Sequence, residues 1–410
     1  MHARLTSEFI RRIPKTDLHV HLDGSLRLST LIELAREARV ELPSYEASGL
    51  RETVFKDHYE SLPDYLKGFA YTVAVMQDPE CVERIAYELA QDNLAEGVRY
   101  VEVRFAPQLH IRDDFSIKDV VGAVCRGMDR AKKEHNVSEA VQEGLDIEFE
   151  YGVIVCALRC FHAGMSDYYA KLFAVLPSAP IKRIFAAASL ELARASTILA
   201  HEHGLPVVGF DLAGEESGYP AVDHKDAYQF AHSNFIRKTV HAGEAYGPES
   251  IFQAITQCYA NRIGHGTFLF HADRVVDPDI VDKEAYSENL AQYIASQRIT
   301  LEVCLTSNLQ TTPSIKNVFD HPVRNMIDHK LSVSICTDNR LVSNTTVSNE
   351  LERVAGQIPL RRREFRDLVV AGFKGSFYPG KYIDKRAYVR KALNVYQNLE
   401  KSLLEPEEPR

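Results

Sequence analysis

The sequence predicts a single (β/α)8 TIM-type barrel, an α/β fold, and three observations lead to this prediction. Short runs of β-branched residues alternate with longer amphipathic segments along the whole chain, as in repeated βα units around a parallel sheet. Eight such runs occur within 410 residues, a length that accommodates a barrel with insertions. No proline-rich or serine-rich linker divides the chain, so we expect one domain over residues 1–410, with a disordered charged tail from about residue 399.

The predicted elements alternate in the order that a barrel requires. The strands are Asp17–Leu22, Tyr100–Phe105, Ile147–Val155, Val207–Leu212, Lys238–His241, Arg262–His265, Ile299–Cys304 and Leu331–Thr337. Amphipathic helices are predicted in segments such as "STLIELAREA", "CVERIAYELAQDNLAEG" and "ASLELARASTILAHEHG", the last two ended by Gly97 and Gly204. Helical insertions are expected after the first strand, at Pro43–Met76, and after the third, at Phe161–Ile181.

Charge and cysteine content limit the partners of this protein. A net charge of −9 and a pI near 6.0 do not fit binding to nucleic acid or to an anionic membrane, which needs an excess of Lys and Arg. The sequence shows neither an apolar signal segment nor a run of 18 apolar residues, so we expect no secretion and no membrane span. The 7 scattered cysteines predict reduced core residues and a cytoplasmic protein. No pattern predicts an oligomeric state.

Polar residues follow most of the predicted strands, at the edge where a barrel enzyme builds its site. These segments read "HVHLDG", "DLAGEE", "HAGE", "GHGT", "CLTSN" and "TDN". In the first, His19 and His21 are two residues apart on a strand, so both imidazoles point to the same face. The same spacing recurs in "HEHG", but His201 and His203 end a helical segment, where residues two apart diverge. The strand pair is therefore the candidate metal half-site.

His241 and Asp338 end two further strands and complete a candidate metal set with His19 and His21. Asp338 ends the eighth strand, which lies next to the first in a closed barrel. Three imidazoles and one carboxylate suit Zn²⁺ or another borderline divalent ion that keeps a water in an open position. Core histidines and a helix N-cap at Asp338 are the structural alternatives, and the coincidence of all four residues at one edge favours the metal.

Glu244 and His265 are the candidate catalytic residues beside this set. Glu244 follows His241 by three residues, and desolvation could keep it protonated as a proton donor. His265 lies between Gly264 and Gly266, where backbone can approach closely. Because a bound divalent ion lowers the pKa of its water to about 7, the set predicts metal-assisted hydrolysis at an sp² carbon.

Eight motifs together resemble the adenosine deaminase family. They are "HVHLDGSLR", "SLPDYLKGF", "YVEVRFAP", "DLAGEE", "HAGE", "RIGHGT", "LEVCLTSNLQT" and "TDNRL", in the family's order and at about its spacing over residues 10–400. The resemblance implies a zinc-containing (β/α)8 barrel with one Zn²⁺ per chain. It also implies the reaction: zinc-bound hydroxide attacks C6 of adenosine, and of 2′-deoxyadenosine, to give the inosine product and ammonia. The implied partner is therefore a small-molecule purine nucleoside.

The resemblance also implies a role for individual residues. Glu244 would protonate the purine N1, and His265 and Asp338 would flank the attacking water as further catalytic residues. Gly214 would offer its backbone N–H to the purine N3, and Asp23 would bond the ribose 5′ hydroxyl. The implied zinc ligands are His19, His21, His241 and Asp338.

One substrate-binding position departs from the family pattern. Many members carry two consecutive aspartates at the eighth strand, and here the second position is Asn339. The family's second acid bonds the purine N7. An asparagine amide can donate to N7 without needing a titratable proton, so the contact can survive while the purine preference stays open.

Two alternative functions stay open. One is deamination of a modified adenine nucleoside such as aminodeoxyfutalosine, with Arg27 and Arg340 either contacting an added anion or pairing with nearby acids. The other is a non-catalytic nucleoside-binding protein, which we would expect to have lost Glu244 or a metal ligand. A nucleoside monophosphate fits less well, since no basic cluster lies near the motifs.

The insertion after the first strand suggests a lid. The segment "FKDHYESLPDYLKGFAYTV" carries Phe55, Tyr65, Leu66 and Phe69 at helical spacing. A helix of this kind can exclude water while hydroxide attacks. Ordinary packing of an amphipathic helix explains the same pattern equally well.

Overall fold

The computed structural model describes residues 5–405 and confirms the (β/α)8 barrel. Its eight parallel strands pair in chain order from β1 to β8. They are β1 Lys15–His21, β2 Val98–Phe105, β3 Glu150–Leu158, β4 Val207–Ala213, β5 Arg237–Ala242, β6 Arg262–His265, β7 Thr300–Val303 and β8 Ser332–Ile335. Every predicted strand is present. The first ends at His21, before the predicted end, because the chain turns there into the 3-10 segment Leu22–Gly24.

The barrel closes between β1 and the residues that follow β8. Val20 forms a parallel bridge with Asp338. The backbone N–H of His21 donates to the Asp338 carbonyl at 2.7 Å, and the Asp338 N–H donates to the His19 carbonyl at 2.7 Å. Three candidate site residues therefore belong to the closing seam itself, which holds their backbones in a fixed register.

Helices connect the strands and cover the barrel. The α-helices are Ser7–Arg12, Leu28–Ala38, Ala47–Thr53, Leu62–Leu66, Phe69–Ala74, Pro79–Ala95, Ile117–Asn136, Glu139–Gln142, Asp167–Val175, Ile181–His201, Lys225–Ser233, Pro248–Gln257, Lys283–Gln297, Leu305–Thr311, Val323–Asp328, Val347–Gln357, Arg362–Gly375 and Tyr382–Leu403. Gly97 and Gly204 follow two of them with φ of 90° and 65°, the left-handed conformation expected at a helix end. The predicted insertions carry helices: three lie within 43–76 and one within 161–181.

Alternation along the strands separates an apolar exterior from a charged interior. In β2, Val101 and Val103 belong to the apolar core between sheet and helices, whereas Arg104 bonds to carboxylates across the barrel. In β1, Leu18 and Val20 belong to the same core, and the histidines between and after them face inward. The polar members of each strand thus meet inside the barrel.

Other expectations concern the ends of the chain and its cysteines. Of residues 399–410, expected to be a tail, residues 399–403 complete the last helix, and residues 406–410 lie outside the described residues. Within residues 5–405, we find no helix that combines the length and the apolar character needed to cross a bilayer. All seven cysteines are free thiols.

Candidate metal and catalytic site

Five of the predicted site residues converge at the carboxyl ends of the strands. Four potential ligand atoms lie within 4.8 Å of one another, one from each of His19, His241, His265 and Asp338. His21 belongs to the same cluster: its Nε2 is 3.2 Å from His241 Nε2 and 3.5 Å from Asp338 Oδ1. The Nε2 of His19 is also 3.5 Å from that oxygen. All five side chains are buried.

The geometry and chemistry of this cluster fit a divalent metal ion. Ligand atoms bound tetrahedrally to zinc at their usual bond lengths are about 3.3–3.6 Å apart, close to the separations found here. The buried Nε2 atoms of His19 and His265 have no hydrogen-bond partner among residues 5–405, a costly arrangement unless another group satisfies them. The residues present therefore fit a bound cation.

Protonation states within the cluster also favour a cation. Burial holds the pKa of His21 well below its usual value, so the imidazole is neutral. Burial alone would raise the pKa of Asp338, but the His19 imidazole 3.5 Å away, together with the nearby His265 and His21, holds that pKa well below the usual range. Neutral imidazole and ionised carboxylate are the forms that bind metals.

Two buried carboxylates orient the histidines. Glu302 in β7 accepts from His19 Nδ1 at 2.8 Å, and Asp211 in β4 lies 3.1 Å from His241 Nδ1. Arg104 bridges these two acids, at 2.7 Å from Asp211 and 2.9 Å from Glu302. Carboxylates that accept the second ring N–H fix the tautomer and direction of a metal-binding histidine. Both Nε2 atoms consequently point into the cluster.

The charge balance of this network keeps Glu302 ionised. Burial would raise its pKa, but Arg104 and Arg262 hold it well below the usual value. Arg262 donates to Glu302 at 2.6 Å, and Thr239 donates to the same carboxylate at 2.9 Å. An ionised acid in a dry interior depends on these partners.

We expect Glu302→Gln to lower zinc affinity by about 10- to 100-fold, because the amide is a weaker acceptor for His19 Nδ1–H. Competition with a chromogenic chelator measures the affinity. The matched control is Glu350→Gln: Glu350 is equally buried, bonds Thr306 and Thr345, and contacts none of the five cluster residues. Equal losses of zinc affinity in both variants would contradict an orienting role for Glu302.

A third supporting carboxylate, that of Glu216, shapes the loop that carries Glu244. Glu216 is buried and accepts the backbone N–H of Gly243, Glu244, Ala245 and Tyr246 at 2.6–3.0 Å. Four donors converging on one carboxylate hold this turn rigidly. The Glu244 side chain is thereby directed to the cavity.

Glu244 lies beside the histidine cluster in a protonated form. Its Oε1 is 3.6 Å from His265 Nε2. Burial raises the pKa of Glu244 to about 8, so the carboxyl carries a proton at neutral pH. A buried neutral acid next to a metal site has the properties of a general acid.

His265 and Asp338 both occupy the left-handed backbone region, with φ of 65° and 63°. This conformation is unfavourable for residues with a Cβ and persists where surrounding contacts impose it, often at functional sites. Asn308 lies 3.0 Å from His265 Nδ1, and Ser307 donates to Asp338 Oδ2 at 2.6 Å. The neighbouring Gly264 leaves room for His19, since a Cβ there would lie 3.0 Å from His19 Cε1.

The cluster forms the floor of a cavity of about 530 Å³. This volume suits a small organic ligand. The predicted residues Asp23, Gly214 and Asn339 also line it, together with Glu244. Most of the wall is apolar, with contributions from Leu62, Leu66, Phe69, Leu109, Phe161 and Phe185.

The three predicted substrate-binding residues reach the cavity in different ways. Asp23 lies in the turn after β1, is buried, and has no hydrogen-bond partner for Oδ1 among residues 5–405; burial raises its pKa to about 7. Gly214 follows β4 with φ of 98°, which favours glycine. Asn339 donates from Nδ2 to the Tyr65 hydroxyl at 2.9 Å.

The insertion predicted as a lid forms part of the cavity wall. Tyr65, Leu66 and Phe69 line the cavity. Phe55 does not: it is buried and lies beneath Gly68, at 3.2 Å from the position a Cβ would take there. Three of the four residues therefore have the contacts that a lid requires.

We expect Leu66→Ala to raise KM about three- to tenfold without loss of folding, because Leu66 lines the cavity and is only half-buried at the edge of the core. Steady-state kinetics and thermal unfolding check this together. Leu94→Ala is the control, since Leu94 is also half-buried but does not line the cavity. A lower melting temperature with unchanged KM for Leu66→Ala would show that the residue only packs.

Comparison with known proteins places the chain in a family. The adenosine deaminase family profile matches residues 14–391. The chain belongs to the adenosine deaminase family. Adenosine deaminase of Mycolicibacterium vanbaalenii is 37% identical over 382 residues, which cover 92% of this chain and 94% of that protein. A probable adenosine deaminase of Dictyostelium discoideum is 33% identical over 97% of this chain, which spans only 45% of that longer protein.

Solved structures share the same barrel. Arabidopsis ADAL complexed with IMP is 25% identical, covers 95% of this chain and 99% of its own, and superposes with a TM-score of 0.71. An amidohydrolase from Burkholderia ambifaria with bound Zn, 19% identical, covers 98% of this chain and 97% of its own with a TM-score of 0.75. Members of the adenosine deaminase family are metal-dependent hydrolases, and the buried His/Asp cluster agrees with this.

Several residues that support this deaminase site escaped sequence-based prediction. Four such residues lie within the quoted motifs but were given no role there: Arg104 in "YVEVRFAP", Asp211 and Glu216 in "DLAGEE", and Glu302 in "LEVCLTSNLQT". The signal for three of them was a charge inside an otherwise apolar strand, as in "YVEVRF", "VVGFDL" and "ITLEVC". A charge buried in a strand needs a partner inside the barrel.

The two arginines near the motifs pair with acids. Arg27 donates to Asp92 at 2.6 Å, and Arg340 donates to Glu96 at 2.6 Å. Neither lines the cavity. The interpretation of these arginines as partners of nearby acids is therefore confirmed.

Proposed function

We propose that this chain deaminates adenosine hydrolytically to inosine and ammonia, with one zinc ion held by His19, His21, His241 and Asp338. The observation that carries the proposal is the protonated, buried Glu244 beside a cluster of buried histidines and an ionised aspartate. A cavity of suitable size opens onto both.

The choice of zinc ligands follows from distances and neighbours. His21 Nε2 lies 3.2 Å from His241 Nε2 and 3.5 Å from Asp338, which suits ligands of one ion. His265 also offers a ring nitrogen within 4.8 Å of the ligand atoms of His19, His241 and Asp338, but its Nε2 lies 3.6 Å from Glu244, the proposed proton donor. We therefore assign His265 to the water rather than to the metal. When bound, zinc lowers the pKa of water to about 7 and so makes hydroxide available at neutral pH.

Glu244 gives its proton to the purine N1. Protonation of N1 removes aromatic character from the ring, so C6 accepts the oxygen of the attacking water. The carboxyl is available for this step because burial keeps it protonated and Glu216 holds its loop. The amino group takes the proton that the water gives to Asp338, the C6–N6 bond breaks, and ammonia leaves. The second proton of the water returns to Glu244 as the C6 carbonyl of inosine forms, so adenosine and water balance inosine and ammonia.

His265 and Asp338 orient the attacking water. Asp338 is ionised and is held by Ser307 at 2.6 Å, so its carboxylate can accept a proton from that water. Burial and the nearby His19 hold the pKa of His265 well below its usual value, so it is neutral and can accept or donate a hydrogen bond. Their strained backbones hold both groups in fixed positions.

The remaining cavity residues favour a nucleoside over a nucleotide. Asp23 would bond the 5′ hydroxyl, Gly214 the purine N3 and Asn339 the purine N7. A 5′ phosphate would meet Asp23 and Glu215, both in the cavity wall. Within residues 5–405, the one Lys or Arg in that wall is Lys67, which is exposed and pairs with Asp64 at 3.0 Å. The Arabidopsis protein that binds IMP differs from this chain at three positions in four.

The test is the ultraviolet spectrum of adenosine over time with purified protein, with AMP and 2′-deoxyadenosine in parallel. We expect adenosine and 2′-deoxyadenosine to be converted and AMP to be a far poorer substrate. Conversion of AMP alone would contradict the assignment of Asp23. If zinc binds stoichiometrically and no adenosine is converted, the substrate assignment is wrong, and modified adenine nucleosides are tested next.

A further inference from the structure

The hydroxyl of Tyr65, in the helix Leu62–Leu66, lies against the residue that departs from the family pattern. It accepts a hydrogen bond from Asn339 Nδ2 at 2.9 Å and lies 2.8 Å from Ser343 Oγ. Tyr65 is buried, and both Tyr65 and Asn339 line the cavity. A residue of the insertion thus contacts the predicted purine-binding residue directly.

Packing on the other side determines which way the Asn339 amide faces. A Cβ added to Gly24 would lie 1.8 Å from Asn339 Oδ1, so this oxygen rests directly on the glycine backbone. Oδ1 is buried and has no hydrogen-bond partner among residues 5–405. An amide nitrogen carries two N–H groups, and the Tyr65 hydroxyl takes one of them. The other N–H of this amide has no partner among residues 5–405, so it is available to a ligand in the cavity.

We propose that Tyr65 is a positioning residue that determines purine specificity: its hydroxyl orients the Asn339 amide so that the remaining N–H faces N7 of the purine. This inference rests on the proposed function. A neutral amide needs a hydrogen-bond acceptor on a neighbouring residue to hold its orientation. If the Asn339 amide rotated by 180°, its oxygen would face N7, and these two hydrogen-bond acceptors would repel each other.

The hydroxyl is suited to this task. Burial, reinforced by the nearby Asp338, raises the pKa of Tyr65 well above its usual value, so the group stays protonated. It has one hydrogen to donate and can accept as well. By donating to Ser343 Oγ it is left as an acceptor for Asn339 Nδ2. The N–H of Ser343 in turn donates to the Asn339 carbonyl at 2.8 Å, which closes the network.

The experiment compares adenosine with 7-deazaadenosine, in which N7 is replaced by C–H. KM and kcat are measured for adenosine, and the inhibition constant Ki for 7-deazaadenosine as a competitor, in wild type, Tyr65→Phe, Asn339→Ala and the double variant. We expect Tyr65→Phe to raise KM for adenosine about five- to tenfold. Ki for 7-deazaadenosine should change less than about twofold, and kcat less than about threefold.

Controls separate this role from packing and from the proposed function. Tyr59→Phe also removes a buried hydroxyl next to this wall, where its ring lies 4.9 Å from that of Tyr65, but Tyr59 bonds backbone carbonyls rather than Asn339. Tyr59→Phe should leave KM for adenosine and Ki for 7-deazaadenosine unchanged. In the Asn339→Ala background, Tyr65→Phe should have no further effect.

Two results would overturn the inference. One is that Tyr65→Phe shifts KM and Ki together, which a merely structural role would cause. The other is that the two substitutions act additively. Absence of adenosine turnover in wild type would instead contradict the proposed function. In that case, the affinities of adenosine and 7-deazaadenosine, measured calorimetrically for wild type and Tyr65→Phe, would decide the role of Tyr65.

Discussion

Replacing Glu244 with Gln is expected to lower kcat for adenosine by about 10²- to 10⁴-fold while zinc content and folding stay intact. The amide keeps the size and burial of the side chain but cannot give a proton to N1. Because burial raises the pKa of Glu244 to about 8, the wild-type acid is protonated at neutral pH, and the substitution removes that proton without removing a charge. Steady-state kinetics, with metal analysis of the same samples, measure the effect.

The control for this variant is Glu249→Gln, in the helix that follows the same loop. Glu249 accepts the exposed backbone N–H groups of Val276 and Asp277 and does not line the cavity. Its kcat should equal that of wild type. A Glu244→Gln enzyme that keeps more than a tenth of the wild-type kcat would show that another group protonates the purine.

Removal of the metal is expected to reduce turnover to the uncatalysed background, and stoichiometric Zn²⁺ should restore it. The five clustered side chains include no alternative means of generating hydroxide at neutral pH. The buried Nε2 atoms of His19 and His265 would again lack a partner after removal, so we also expect a lower melting temperature. Dialysis against a chelator, metal analysis, kinetics and thermal unfolding test both expectations on one sample.

Near-ultraviolet circular dichroism of the chelated protein distinguishes loss of metal from loss of structure. We expect the spectrum to stay native at room temperature, because the barrel core does not involve the cluster. Metal-free protein that turns over adenosine at the wild-type rate would contradict the mechanism. Zinc bound at two or more ions per chain would contradict the assignment of His265 to the water.

The barrel and the residue types of its site were predictable because both depend on local pattern. Strand periodicity and the polar ends of strands follow from spacing along the chain. The position of His19 and His21 on one face needs only the alternation of a strand. The pairing of Arg27 and Arg340 with acids could be proposed but not decided, since the partners lie 65 and 244 residues away.

Sequence alone therefore determined the fold class, the cluster of candidate ligands at one barrel edge and the presence of an acid beside it. Tertiary structure decided what each group can do there. Closure of β1 against Asp338 sets the distances between ligands, Glu302 and Asp211 aim the imidazoles, and burial sets the proton on Glu244. The amide of Asn339 faces the way it does because Gly24 and Tyr65 meet it from two sides. Directions of hydrogen bonds and pKa values depend on groups brought together from distant strands, and no spacing along the chain records them.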